Sequence, residues 1–148
     1  MNRHSVRRLL STFAALFVAL VLLLISPAVA SAATIYNPPM FRATEVSIIQ
    51  NDLCTGNFQA YVCFQKYGDN FFVVDQNEDS SSAVAYFETG YGRTGACYNP
   101  YGQGHAGVCN LDLKEGSHVC MYAGIVDRNG ANIVIIALDT KKCFYNDH

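Results

Sequence analysis

Six cysteines, four histidines and twelve carboxylates are the side chains of this 148-residue chain from which a reaction or a metal site would have to be built. The cysteines are Cys54, Cys63, Cys97, Cys109, Cys120 and Cys143. No pair has the close C-x2-C spacing of a zinc site and no histidine follows at finger distance, so no metal is expected. An even count in a short exported chain reads instead as three disulfides, whose pairing the spacing leaves open. Bridged cysteines are not nucleophiles.

The other reactive residues are no better grouped. His105 sits in the loop Gly102-Gln103-Gly104-His105-Ala106-Gly107, where a solvated surface position is the expected role. His118 shares a strand face with Cys120, which suits packing or a sheet edge. His148 ends the chain. No serine has the G-x-S-x-G setting of a nucleophile elbow, and Ser117 belongs to a turn. Asp69, Asp75, Glu78, Asp79 and Glu88 include the carboxylates a glycosidase would need, but acids between strands read as solvated surface. The run Gln76-Asn77-Glu78-Asp79-Ser80-Ser81 has oxygen ligands for calcium without the spacing of an EF-hand loop. The glycines near Tyr91 and Tyr101 do not lead a strand into a helix, so they form no phosphate cradle. No catalytic residue and no cofactor is expected, and the chain reads as a non-enzyme.

The first residues look like an address rather than a fold. Arg3, Arg7 and Arg8 precede an uncharged apolar run from Phe13 to Ile25, and small residues follow at Ala28-Val29-Ala30-Ser31-Ala32-Ala33. That is the order of a secretory signal peptide, placed at residues 1–32, with cleavage after Ala30 nearly as good. Cleavage after Ala32 leaves 148 − 32 = 116 residues. Three of ten basic residues leave with the leader and no acid does, so the mature charge is 7 − 12 = −5. Phosphate-backbone binding needs clustered Lys and Arg, so nucleic acid is excluded as a partner. No later apolar run reaches membrane-spanning length, so the mature chain is expected to be secreted and extracellular, with no membrane contact. A domain of this size buries a modest core, and each crosslink adds about 2–4 kcal/mol.

Residues 33–44, ATIYNPPMFRAT, form a distinct arm. Pro38-Pro39 removes two amide donors and fixes φ, so helix and central strand are unavailable at that point, and Asn37 is pushed to extended conformations. Yet Ile35, Tyr36, Met40 and Phe41 are large and apolar. A stiff apolar segment before the first cysteine either packs on its own domain or meets a partner.

From residue 45 to 148 the pattern is strand, turn, strand. Expected strands are Val46–Gln50, Phe58–Gln65, Phe71–Asp75, Ala83–Glu88, Val108–Leu111, His118–Asp127, Ala131–Asp139 and Cys143–Asn146. The continuous run Ile133-Val134-Ile135-Ile136-Ala137-Leu138 suits a strand covered on both faces. Arg128-Asn129-Gly130 is a type I′ turn signal, so the strands either side of it should pair as a hairpin. The chain therefore reads as all-β: a small disulfide-stapled sandwich or partly open barrel. Tyr91, Arg93, Tyr98 and Tyr101 gather in the stretch GYGRTGACYNPYGQG, where Tyr and Arg between glycines are common binding anchors.

Two resemblances follow from these residues. The leader, the arm Ile35-Tyr36-Asn37-Pro38-Pro39-Met40-Phe41 and the six-cysteine β domain together resemble the small adaptor subunit of actinobacterial umbrella toxin particles. That resemblance implies a non-enzymatic protein whose arm docks in the cleft of a protease-like, lectin-bearing subunit, with Ile35 through Phe41 as partner-binding residues. The stretch Val62-Cys63-Phe64-Gln65-Lys66-Tyr67-Gly68, with the later Asp/Ser cluster, resembles small secreted inhibitors of βγ-crystallin-like fold, although its aromatic-to-glycine spacing does not repeat downstream. The leading expectation is a secreted adaptor that binds a protein through its arm. The alternative is an inhibitor of an extracellular protease or other hydrolase, acting through the Tyr91–Gly104 loop.

Overall fold

The computed structural model describes residues 31–47, 53–127 and 133–147. All but the last two residues of the expected leader lie outside that range, as does the Arg128-Asn129-Gly130 turn. The described chain is built from strands. They are β1 (Ala32–Tyr36), β2 (Met40–Arg42), β3 (Thr44–Val46), β4 (Leu53–Gly56), β5 (Ala60–Gln65), β6 (Asn70–Asp75), β7 (Ser81–Thr89), β8 (Thr94–Tyr98), β9 (Ala106–Asn110), β10 (Ser117–Asp127), β11 (Ile133–Ala137) and β12 (Lys142–Asn146). Leu138–Thr140 adds a single 3-10 turn.

The strands form two sheets, β1-β11-β10-β7-β8-β2 with β12 also on β10, and β3-β9-β6-β5-β4. All pairs between named strands are antiparallel except β2 with β8. The eleven residues of β10 hold β7 along one side, and β12 then β11 along the other. The pairing of Gly124–Val126 with Val134–Ile136 is the one expected of the hairpin strands.

Side-chain alternation makes two apolar layers. On β7, Ala83, Ala85 and Phe87 face one way and Val84 and Tyr86 the other; on β10, Val119, Met121 and Ala123 oppose Cys120 and Tyr122. The first set meets Val62, Phe64, Phe71 and Val73 of the second sheet, with Phe71 centred 5.2 Å from Phe87. The second set joins Val134 and Ile136 of β11 and Ala96 of β8, and it takes in Ile35 and Met40. Burial on both faces explains why β7 and β10 read as near-continuous apolar runs.

The longer sheet must curl around that second layer. Five strand spacings separate β1 from β2, about 24 Å in a flat sheet. Only Asn37, Pro38 and Pro39 join them, and four extended steps span at most about 14 Å. The sandwich therefore has a partly open barrel for one of its layers, and Tyr86 and Tyr122 are buried inside the curl.

The cysteines pair in order along the chain. Cys97–Cys109 joins β8 to β9 and so staples one sheet to the other; Cys54–Cys63 and Cys120–Cys143 each link neighbouring strands. Four strands, β1, β2, β4 and β8, were not expected; β3 shares only Val46 with the expected strand Val46–Gln50, whose residues 48–50 lie outside the described range. β8 lies inside the glycine-rich stretch read as loop. Its cross-strand partners, and the approach of Phe41 over Gly95, override local turn chemistry.

Candidate functional site

The arm is extended, as its prolines require, but it is not untethered. β1 pairs with β11 over five residues, from Ala32↔Ala137 to Tyr36↔Ile133, and the Leu138 amide donates to the Ser31 carbonyl at 2.9 Å. Asn37 then turns with φ of 49°, in the left-handed region that Asn tolerates rather than the extended one expected before proline. Pro38 is buried, and the Pro39 carbonyl accepts from the Ala96 amide at 2.9 Å. β2 runs parallel to β8, and β3 crosses to the other sheet beside β9.

Two glycines make room for this path. A Cβ on Gly95 would lie 2.6 Å from the Phe41 ring, and one on Gly107 would lie 2.6 Å from the Ala43 Cβ. Phe41 thus packs on the first core, 6.2 Å from Phe87 between ring centres, with the Arg93 guanidinium 5.9 Å from its own ring. Of the seven arm residues expected to meet a partner, Ile35, Pro38, Met40 and Phe41 are committed to the chain's own body. Tyr36, Asn37 and Pro39 remain exposed, Tyr36 by 71%.

The second group of expected contacts is divided. Tyr91 and Arg93 lie at the β7–β8 hairpin, Tyr98 and Tyr101 at the far end of β8, about 17 Å away along a five-residue strand. Arg93 donates to the Asp112 carbonyl at 2.8 Å. Tyr98 packs on the second core. The Tyr101 hydroxyl accepts from the Glu45 amide at 3.1 Å and donates to the Ala43 carbonyl at 3.2 Å, pinning the end of the arm.

His105 has a partner that nothing in the sequence indicated. Its Nδ1 lies 2.7 Å from Glu45 Oε1, at a cleft of about 380 Å³ that Ser47 and Ala106 also line. Pairing of Glu45 with Gly107 across β3 and β9 brings the two together over sixty positions of sequence. Both side chains are about half exposed, so solvent screens the pair and its contribution to stability is small.

Two acids depart from the surface role expected of them. Asp69 and Asp75 are 5% and 3% exposed. Asp69 accepts from the Leu113 amide at 2.6 Å and from Asn146 Nδ2 at 2.8 Å, so it ties the β5–β6 turn to the end of β12. Asp75 stands at the other end of β6, about 20 Å from Asp69. Glycosidase carboxylates lie within roughly 5–9.5 Å of each other, so these two are no such pair. In the run with oxygen ligands but no EF-hand spacing, the Asp79 oxygens accept from Asn77 Nδ2 and the Ser81 amide, which closes the turn on itself.

The chain matches no family model, no curated protein and no solved structure.

One surface joins part of the arm to residues the sequence reading overlooked. β1 is the end strand of its sheet, and among the described residues no strand pairs with its far side. Tyr36 shares a sheet face with Ile135, which is 43% exposed, and Leu138 follows at 39%. The run Ile133–Leu138 is therefore covered on one face only: Val134 and Ile136 point into the second core while Ile135 faces outward. An apolar residue at each outward position was the signal, and it was read as burial on both sides.

Proposed function

We propose that the chain is a secreted, non-enzymatic protein-binding module that docks its partner along β1, the strand formed by the first part of the arm. The observation that carries this reading is the open edge of β1 beside the outward-facing Tyr36 and Ile135, with the exposed Leu138 in the turn that follows β11. Edge strands ordinarily carry a charge, a proline or a bulge that discourages pairing. The sequence of β1, AATIY, has none of these. A partner strand added there gains main-chain hydrogen bonds, and the three side chains beside it contribute roughly 1–2 kcal/mol each on burial.

The three disulfides are consistent with an oxidising, extracellular setting. Likeness to the umbrella-particle adaptors suits a module of this kind, with a protease-like or lectin-bearing subunit as partner. The contact would be an edge strand and not an inserted tip, because residues 40–46 are committed to both sheets. Inhibition of a hydrolase through residues 91–104 has less support, since Arg93 and Tyr101 are already bonded to the chain's own backbone.

The test is a capture experiment from culture supernatant of the source organism with the full mature chain as bait. A Tyr36→Glu, Ile135→Lys variant places charge on the outward row without touching either core. The wild-type chain is expected to retain a specific partner, and the variant to recover at least tenfold less, equivalent to about 1.4 kcal/mol of lost binding. Equal recovery by the two baits contradicts docking at β1, and inhibition of a protease or glycosidase by both favours the alternative.

A further inference from the structure

We propose that the Cys120–Cys143 disulfide gates a cation site: once reduced, Cys120, Cys143 and His118 bind a thiophilic divalent cation of the zinc type. The three residues are an i, i+2 pair on β10 and the cross-strand partner of Cys120 on β12. Their ligand atoms, one ring nitrogen of His118 and the two sulfurs, all lie within 4.8 Å of one another. His118 Nδ1 is 4.0 Å from Cys120 Sγ. A tetrahedral zinc ion with Zn–N near 2.0 Å and Zn–S near 2.3 Å places nitrogen and sulfur about 3.6 Å apart and two sulfurs about 3.8 Å apart. The nitrogen is already close to that spacing. The sulfurs must separate by roughly 1.7 Å from their bonded distance, which a rotation of the exposed Cys143 side chain supplies.

Exposure distinguishes this bridge from the other two. Cys143 and His118 are exposed and Cys120 lies just beneath them, whereas Cys97 and Cys109 are 0% and 5% exposed, and in the third bridge Cys63 is 1% exposed and Cys54 half-buried. The reductant is an external dithiol. One of its thiolates attacks the Cys143 sulfur, forming a mixed disulfide and releasing Cys120 as thiolate; its second thiolate then closes on the first, releasing Cys143 as thiolate and leaving the dithiol oxidised. The metal replaces the thiol protons, which pass to solvent.

The site stays assembled without its crosslink. β12 pairs with β10 from Ser117↔Asn146 to Met121↔Lys142, and Phe144 stacks on Phe64 with centres 4.6 Å apart. Asn146 is buried and donates to Asp69, while Thr140 Oγ1 accepts from the Ala123 amide at 2.9 Å just before the strand begins. Around the cluster, Tyr145 meets the His118 ring edge-on at 5.4 Å, and Glu88 stands opposite Cys120 on β7, adding negative charge near the cation.

The experiment takes the full mature chain through graded concentrations of dithiothreitol without denaturant, traps free thiols by alkylation and maps them. Cys120 and Cys143 are expected to be labelled first. Cobalt(II) is then added to the chain reduced at that bond and freed of reductant. One equivalent should bind, with thiolate-to-cobalt charge transfer and the intense visible bands of four-coordinate cobalt, and His118→Ala should weaken binding at least tenfold. A Cys120→Ser, Cys143→Ser double variant should fold with the other two bridges intact and show no such bands. The proposal is overturned if another bridge opens first, if cobalt binding ignores His118→Ala, or if the double variant fails to fold.

Discussion

Asn99 is completely buried, yet its amide group has a partner at every side. Nδ2 donates to the Val73 carbonyl at 3.1 Å and the His105 carbonyl at 2.7 Å, and Oδ1 accepts from the Tyr101 amide at 2.9 Å. One side chain thereby holds the end of β8, the strand β6 of the other sheet and the glycine-rich loop. A buried polar group with all its bonds made is affordable where an unsatisfied one costs about 1–3 kcal/mol. Tyr86 shows the complementary case. Burial, and then the neighbouring Glu88 carboxylate, push its phenol above the ordinary tyrosine value of 10.0. The neutral phenol is the form the fold favours, so its contribution is complete below about pH 10 and is lost as pH rises from there through the raised folded value. Denaturation midpoints measured from pH 9 to about pH 11 should fall less steeply for Tyr86→Phe than for the wild-type chain; identical slopes would remove Tyr86 from the alkaline transition.

At the scale of elements, the arm is the part of the chain that the sequence described best by composition and least well by role. Its extended backbone followed from Pro38-Pro39, and its apolar residues were recognised as needing a surface. That the surface is the chain's own depends on contacts far away in sequence: Gly95 beneath Phe41, Gly107 beside Ala43, Tyr101 across from Glu45. Local reading has no access to such pairs. Phe41→Ala should therefore destabilise the whole domain by roughly 2–3 kcal/mol, measurable by urea denaturation, because it opens a void against Phe87. A merely dangling arm would lose nothing. The strands around the buried runs were legible because burial on one or two faces writes itself into alternation, as at β5 and β7. β8 and β4 were missed since Gly95 and Gly56 interrupt their patterns for reasons of close approach to Phe41 and to the Ala60 carbonyl. The candidate docking row was half visible: Tyr36 was named, while Ile135 and Leu138 were taken for interior residues.

As a whole, the described chain is a two-sheet sandwich in which the longer sheet curls until three residues bridge its ends. Each stitch serves that shape. Cys97–Cys109 locks sheet to sheet, β2 and β3 cross from one sheet to the other, and Asp69 with Asn146 anchors the last strand. A curled sheet that stops short of closure leaves edges, and an edge without charge or proline is a place for another chain to pair. Hydrogen exchange on the chain without its expected leader, alone and in complex with its captured partner, addresses that claim most directly. The account predicts that amides of residues 34–36 facing away from β11 exchange quickly in the free chain and become protected in the complex. Protection confined to residues 91–104, with β1 unchanged, would contradict it.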